Sequence, residues 1–190
     1  LMEFAAKDST KPVSVIINSP GGEVNSGYIF VDYMARVQSM GVKVNCYVKH
    51  IAASMAFQIF LYCDNRYIIS SSLLLWHPAR VSVQPSLGQE EAAALAAGLA
   101  EMNARIFAVL LYRVTGISEE NLLKHWMRET LHAASDLNEL THGKFMTVVP
   151  AIPGLLEITP GSITTNTTPQ FMQFRVSKII YVYKGFSNAL

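Results

Sequence analysis

The sequence predicts an α/β fold with parallel strands, and three observations carry that prediction. Two strand–turn–helix units follow one another between Val13 and Tyr62, and successive units of this kind pair their strands in parallel through crossover helices. A long helical segment, Gly88 to Thr115, follows two further short strands. The chain has 190 residues, 51% of them hydrophobic, which is enough for one domain with a sizeable core.

The elements follow in order. Val13 to Ile17 is short, β-branched and closed by a Pro-Gly-Gly turn, so it reads as a buried strand. From Glu23 to Met40, Tyr28, Val31, Met34 and Val37 recur at helical spacing, and Gly41 is the stop. Val42 to Val48 reads as a second strand and Ala52 to Tyr62 as a second helix. Tyr67 to Ile69 and Leu73 to Trp76 are short strands between turns at Asp64-Asn65 and Ser70 to Ser72. In the long helix, Ala92 to Ala97 is apolar on every face, which predicts burial, and in so small a domain the cover is a second subunit. Ser118 caps a further helix that runs to Arg128. Ala134 to Leu140 reads as a short helix and Phe145 to Val149 as a strand. Composition shifts after Pro150, which divides the chain into a domain at 1–149 and a tail at 150–190. In the tail, Thr159 to Gln170 reads as a loop and Phe171 to Tyr183 as strand-like. Asn166-Thr167-Thr168 fits the glycosylation pattern without a secretion signal beside it.

Bulk properties narrow the function classes. Charged residues make up only 15%, against about a quarter in an average domain, so apolar surface is expected between subunits. A net charge of +1 gives no reason to expect nucleic acid or an acidic membrane surface as partner. No uninterrupted apolar run reaches the ~18 residues of a membrane helix, and no signal peptide is visible. Cys46 and Cys63 form no CxxC pair and sit in apolar runs. They read as two buried thiols in a reducing, cytoplasmic compartment. No two of the five histidines have metal-ligand spacing with cysteines or carboxylates, so no metal is expected.

The chemistry concentrates at Ser54, in His50-Ile51-Ala52-Ala53-Ser54-Met55-Ala56. It follows a strand-like run and opens an apolar stretch. The start of a helix offers unpaired N–H groups and partial positive charge, both suited to an oxyanion. Upstream, the turn Asn18-Ser19-Pro20-Gly21-Gly22 also closes a strand. Downstream, Leu73-Leu74-Leu75-Trp76 ends in His77. A serine, a histidine at a strand end and two turns with bare N–H groups point to acyl transfer. Each residue also has a plainer reading: Ser54 as a helix cap, His77 as a polar strand end, Gly21 and Gly22 as turn formers, and Glu129 as half of a surface ion pair with Arg128. Of the other histidines, His50 is too close along the chain for triad geometry, His125 lies on an amphipathic helix face, and His132 and His142 fall in loop-like segments.

These motifs, with Ala52-Ala53-Ser54-Met55-Ala56, His77-Pro78, Thr115-Gly116 and Arg128-Glu129 in the same order, resemble the ClpP-type serine peptidases over residues 13 to about 146. The resemblance implies a ClpP/crotonase spiral of repeated β-β-α units with a protruding long helix. It implies a Ser–His–acid triad with Ser54 as nucleophile, His77 as general base and Glu129 as the acid. Gly22 and Met55 then supply the backbone donors of the oxyanion hole. It also implies stacked homo-oligomeric rings around a degradation chamber, polypeptide substrates, an AAA+ unfoldase partner and no cofactor. Three features depart from the family. The acid is usually an aspartate after an arginine, so Asp136 and Asp64 remain alternatives to Glu129. The family's first strand and axial loops, which meet the unfoldase, lie upstream of these motifs, and only twelve residues precede Val13. Residues 150–190 match nothing in the family's short C-terminus. Together the departures place the chain in a divergent, phage-like branch. Two other functions fit the fold: a crotonase-like acyl-CoA hydratase or isomerase, which needs a carboxylate base, and a non-catalytic ring subunit.

Overall fold

The structure is a computed structural model that describes residues 1–7, 9–82, 86–150, 172–174 and 180–183. Helix α1 (Met2–Lys7) precedes strand β1 (Val13–Ser19), helix α2 (Val24–Ser39), strand β2 (Val44–Ala53) and helix α3 (Met55–Leu61). Strands β3 (Asn65–Ile69) and β4 (Leu73–Leu75) lead to the long helix α4 (Gln89–Arg113), then α5 (Glu119–Arg128), β5 (Leu131–Ala133), α6 (Ala134–Leu140) and β6 (Thr147–Val149). Two strands beyond residue 150 are described, β7 (Met172–Phe174) and β8 (Ile180–Tyr183). The loop expected at Thr159 to Gln170, and the Asn166-Thr167-Thr168 pattern, lie outside the described residues.

One mixed sheet organises the chain. β2 is its centre and runs parallel to β1, from Val13↔Val44 to Ser19↔Ala52. Its other edge is shared by two parallel strands in succession. β3 pairs with its first half (Asn45↔Asn65 to Val48↔Ile68) and β4 with its last residues (Ile51↔Leu73 to Ala53↔Leu75). The change of partner falls at His50, which has φ 76°. There the buried Ser72 hydroxyl accepts from His50 N–H at 2.9 Å and donates to the Val48 carbonyl at 3.2 Å, taking up groups the ladder releases. β6 extends the sheet beyond β3 in parallel, β5 pairs antiparallel with β4, and β8 pairs antiparallel with β1. This curled mixed sheet with a long helix is the ClpP/crotonase architecture.

The core lies between the sheet and α2, α3 and α5. α2 turns Phe30, Val31, Met34 and Val37 inward, the stripe its spacing predicts. All seven residues of α3 are buried. Phe57 stacks on Trp76 with ring centroids 5.1 Å apart, and Phe60 meets Phe145 edge-on at 6.0 Å.

Three expectations are corrected. The second helix starts at Met55 and not at Ala52, because Ala52 and Ala53 remain paired to Leu74 and Leu75 as strand. Cys46 and Cys63 are not free thiols; they form a disulfide with Cα atoms 5.9 Å apart. The strand of one and the helix exit of the other converge across α3, and the argument from free thiols to a reducing compartment lapses. Ala92 to Ala97 is largely exposed rather than buried, since only Ile106 and Leu110 of α4 are buried in the single chain. Although no apolar run is uninterrupted over ~18 residues, α4 is long and apolar enough by length and composition to cross a membrane. Counting uninterrupted apolar residues misses this because Glu101 and Arg105, which pair with each other one turn apart, break the run.

Candidate active site

Ser54 occupies a strained turn. Its backbone has φ 54° and ψ −124°, a region that side-chain-bearing residues rarely adopt and that costs of order 1–3 kcal/mol. Two bonds hold it there. Ser54 N–H donates to the Leu75 carbonyl at 2.9 Å, and the Ser54 carbonyl accepts the first helical bond, from Gln58 N–H at 3.1 Å. The chain therefore leaves β2 and enters α3 with Ser54 at the corner, the geometry of a nucleophile elbow. Met55 opens α3, where the helix itself leaves the N–H unused.

The glycine turn packs directly on that corner. β1 and β2 are parallel, so the turn after Ser19 and the turn after Ala53 emerge at the same end of the sheet. Gly21 has φ 100°, and a Cβ placed on it would lie 2.6 Å from the Ala53 carbonyl oxygen, 2.7 Å from Ser54 Cβ and 2.9 Å from Met55 N. Only glycine fits. Gly21 N–H donates to the buried Ser19 hydroxyl at 3.1 Å, which fixes the turn.

His77 arrives from the neighbouring strand. Ala53 pairs with Leu75, and His77 follows two residues later, so β4 delivers it beside Ser54. Its Nδ1 lies 2.6 Å from the Pro78 carbonyl oxygen. A carbonyl only accepts, so this contact fixes the proton on Nδ1 and leaves the Nε2 lone pair free, the tautomer a general base requires. Asn103 on α4 holds the next stretch: Ala79 N–H donates to Asn103 Oδ1 at 2.6 Å and Asn103 Nδ2 donates to the Ala79 carbonyl at 3.2 Å. Gly22, Ser54, Met55 and His77 border one cavity of about 180 Å³, with Arg80 at its edge.

Glu129 stands next to this cavity without bordering it. It caps α5 in a left-handed conformation, φ 51° and ψ 48°. The β4–β5 pairing ends at Leu75↔Leu131, two residues short of His77 on one strand and of Glu129 on the other. The Glu129 carboxylate forms an ion pair with Arg80. The alternatives are placed elsewhere. Asp64 accepts from Val44 N–H and Gln38 at the opposite end of β2, roughly 30 Å of strand from Ser54. Asp136 is exposed on α6 and accepts from its neighbour Ser135.

Three residues at the site escape a reading of local motifs. Arg80 and Asn103 act across long sequence separations. Gln58, one helical turn after Ser54, was legible as the single polar residue within Met55 to Leu61. It is buried and borders the cavity, and its Oε1 has no hydrogen-bond partner among the described residues.

The sequence profile described as Clp protease matches residues 1–140. The chain belongs to the Clp protease family. The match takes in Ser54, His77 and Glu129 and stops before β6.

Two further histidines of this Clp protease sit behind the site. His132 was expected in a loop, but it lies in β5, buried, stacked on Trp76 with centroids 4.4 Å apart. His125, expected at the surface, is half-buried and meets His132 edge-on at 4.7 Å. Burial, followed by the neighbouring His125, pushes the His132 pKa down from 6.5 to about 4, against a small opposing pull from Asp136. The unfolded chain therefore binds a proton at His132 that the folded chain refuses between those two values. The stability contributed by neutral His132 is present above pH 6.5 and is lost as pH falls toward 4. Urea unfolding at pH 7 and pH 5 is expected to show a lower midpoint at pH 5, and His132→Leu is expected to flatten that difference. An undiminished difference in the variant assigns the pH dependence to other groups.

Proposed function

We propose that this Clp protease is a serine endopeptidase that hydrolyses peptide bonds of unfolded proteins or short peptides. The observation that carries the reading is the strained corner at Ser54, with Gly22, Met55 and His77 around the same cavity. Ser54 Oγ attacks the scissile carbonyl while His77 Nε2 takes its proton. The N–H groups of Gly22 and Met55 receive the oxyanion. His77 then returns the proton to the leaving amine, and water, activated by the same imidazole, releases the acyl group from Ser54. Glu129, released from its Arg80 partner, steadies the imidazolium. Each step uses a group the chain itself supplies.

The experiment is labelling with a fluorophosphonate probe, which modifies only an activated serine. Labelling that disappears on preincubation with a peptide substrate supports the reading, and a protein that does not label overturns it. The Arg80–Glu129 ion pair favours one competing view, a silent ring subunit whose acid is permanently engaged, and that view predicts no labelling.

Assembly belongs to the same proposal. α4 exposes the apolar run Ala92 to Ala97, and its inner half holds the His77 segment through Asn103. Covering that run with a second copy buries surface that otherwise faces water. Light scattering of the purified chain is expected to show a ring-sized oligomer. A monodisperse monomer over a wide concentration range contradicts it.

A further inference from the structure

We propose that Arg80 makes the site selective for a substrate with a carboxylate close to its scissile bond, and that this carboxylate displaces Glu129 from Arg80 and frees it for His77. The inference rests on the peptidase reading above. Among the described residues that border the cavity, Arg80 is the one with a permanent charge, and no carboxylate borders it. The backbone beside it is fixed, because Ala79 is bonded through both its N–H and its carbonyl to the Asn103 side chain of α4. The guanidinium is accessible: the Arg80 side chain is 67% exposed, and that of Glu129, its ion-pair partner, 34%. One cation therefore meets both the reacting cavity and the acid that the reaction needs.

That placement sets up a competition. In the free chain Glu129 neutralises Arg80, and His77 Nδ1 meets only the Pro78 carbonyl. An ion pair this exposed is weak, since water screens the attraction and two long side chains must be ordered to make it. A substrate carboxylate offers the guanidinium fork the same two acceptor oxygens and the same charge. It exchanges for Glu129 at little cost, and the displaced carboxylate is then available to the imidazolium that forms at His77 as Ser54 loses its proton. A carboxamide of the same shape offers one acceptor oxygen and no charge, so it leaves the Arg80–Glu129 pair in place. A lysine or arginine side chain brings a second cation toward Arg80. Substrate charge is thus read twice, once in binding at Arg80 and once in the step that needs Glu129.

The test uses internally quenched peptides of one sequence in which Asp replaces Asn, in turn, at each of the three positions on either side of the scissile bond. With the wild-type chain, one position is expected to favour Asp over Asn by at least ~10-fold in kcat/KM, with most of the gain in kcat. Arg80→Gln is expected to cleave that Asp and Asn pair alike, and to cleave the Asn peptide with a higher kcat than the wild type, because Glu129 is no longer engaged. A merely structural role for Arg80 lowers kcat for both peptides and leaves their ratio intact. The wild-type ratio stands without the variant, so a misfolded variant does not rescue the proposal. A wild-type chain indifferent to Asp at every position overturns it, and so does the same Asp preference in Arg80→Gln. A gain confined to KM overturns the release of Glu129. Fluorophosphonate labelling of Ser54 separates the two levels of inference. Labelled protein without an Asp preference removes the role of Arg80 alone, whereas wild-type protein that neither labels nor cleaves removes the peptidase reading and this one with it.

Discussion

Ser54→Ala is expected to abolish peptide hydrolysis and fluorophosphonate labelling while the fold persists. Removing the nucleophile of a serine-protease triad costs about 10⁶ in kcat. The substitution removes only a hydroxyl, and the two bonds that hold the turn, Ser54 N–H to Leu75 and Gln58 N–H to Ser54, belong to the backbone and survive it. Alanine keeps a Cβ, so the cost of the positive φ is shared by both proteins. Circular dichroism and the thermal midpoint are expected to change little. Near-normal turnover in a clean preparation would show that another group attacks the carbonyl.

Glu129→Gln is expected to lower kcat by at least ~100-fold with little change in stability. The substitution keeps shape and length and removes the charge that stabilises the imidazolium. Neutralising the acid in one well-studied triad costs about 10⁴. The expected loss here is smaller because the Pro78 carbonyl already holds the Nδ1 proton in place, so the tautomer survives without the carboxylate. The Arg80 pair is largely solvent-exposed on the arginine side, and breaking it costs only ~0–1 kcal/mol. Asp136→Asn, measured beside it, is expected to leave kcat unchanged because Asp136 is exposed on α6 beside Ser135. A loss only at Asp136 moves the acid there. No loss at either leaves Ser54 and His77 working as a dyad.

Much of this arrangement was legible in the sequence because the chemistry sits where regular elements end. Ser54, His77 and the Gly21-Gly22 turn each follow a short apolar strand, and parallel neighbours bring such ends together. β2 runs past Val48 to Ala53, beyond what its local pattern marks, for a local reason. His50, at φ 76°, interrupts the alternation, and Ala52-Ala53 are good helix formers that tertiary pairing with β4 overrides. The exposure of α4 was hidden because an all-round apolar helix carries the same pattern whether its cover is its own chain or another. Asn103 lies 24 residues from the Ala79 it holds, and Arg80 and Glu129 meet only after β4 and β5 pair, so no local spacing marks them. The disulfide leaves no motif either, since its cysteines are 17 residues apart and are brought together by the packing of α3 against β2.

That disulfide makes a closed covalent loop from Cys46 to Cys63, and Ser54 lies inside it together with the end of β2 and all of α3. A single cut of the backbone anywhere in the loop leaves two fragments still joined through sulfur. On a gel run without reductant such a molecule migrates as intact chain, and it divides only when thiol is added. A backbone cut beside Ser54 therefore separates the chain into fragments only once the bond is reduced.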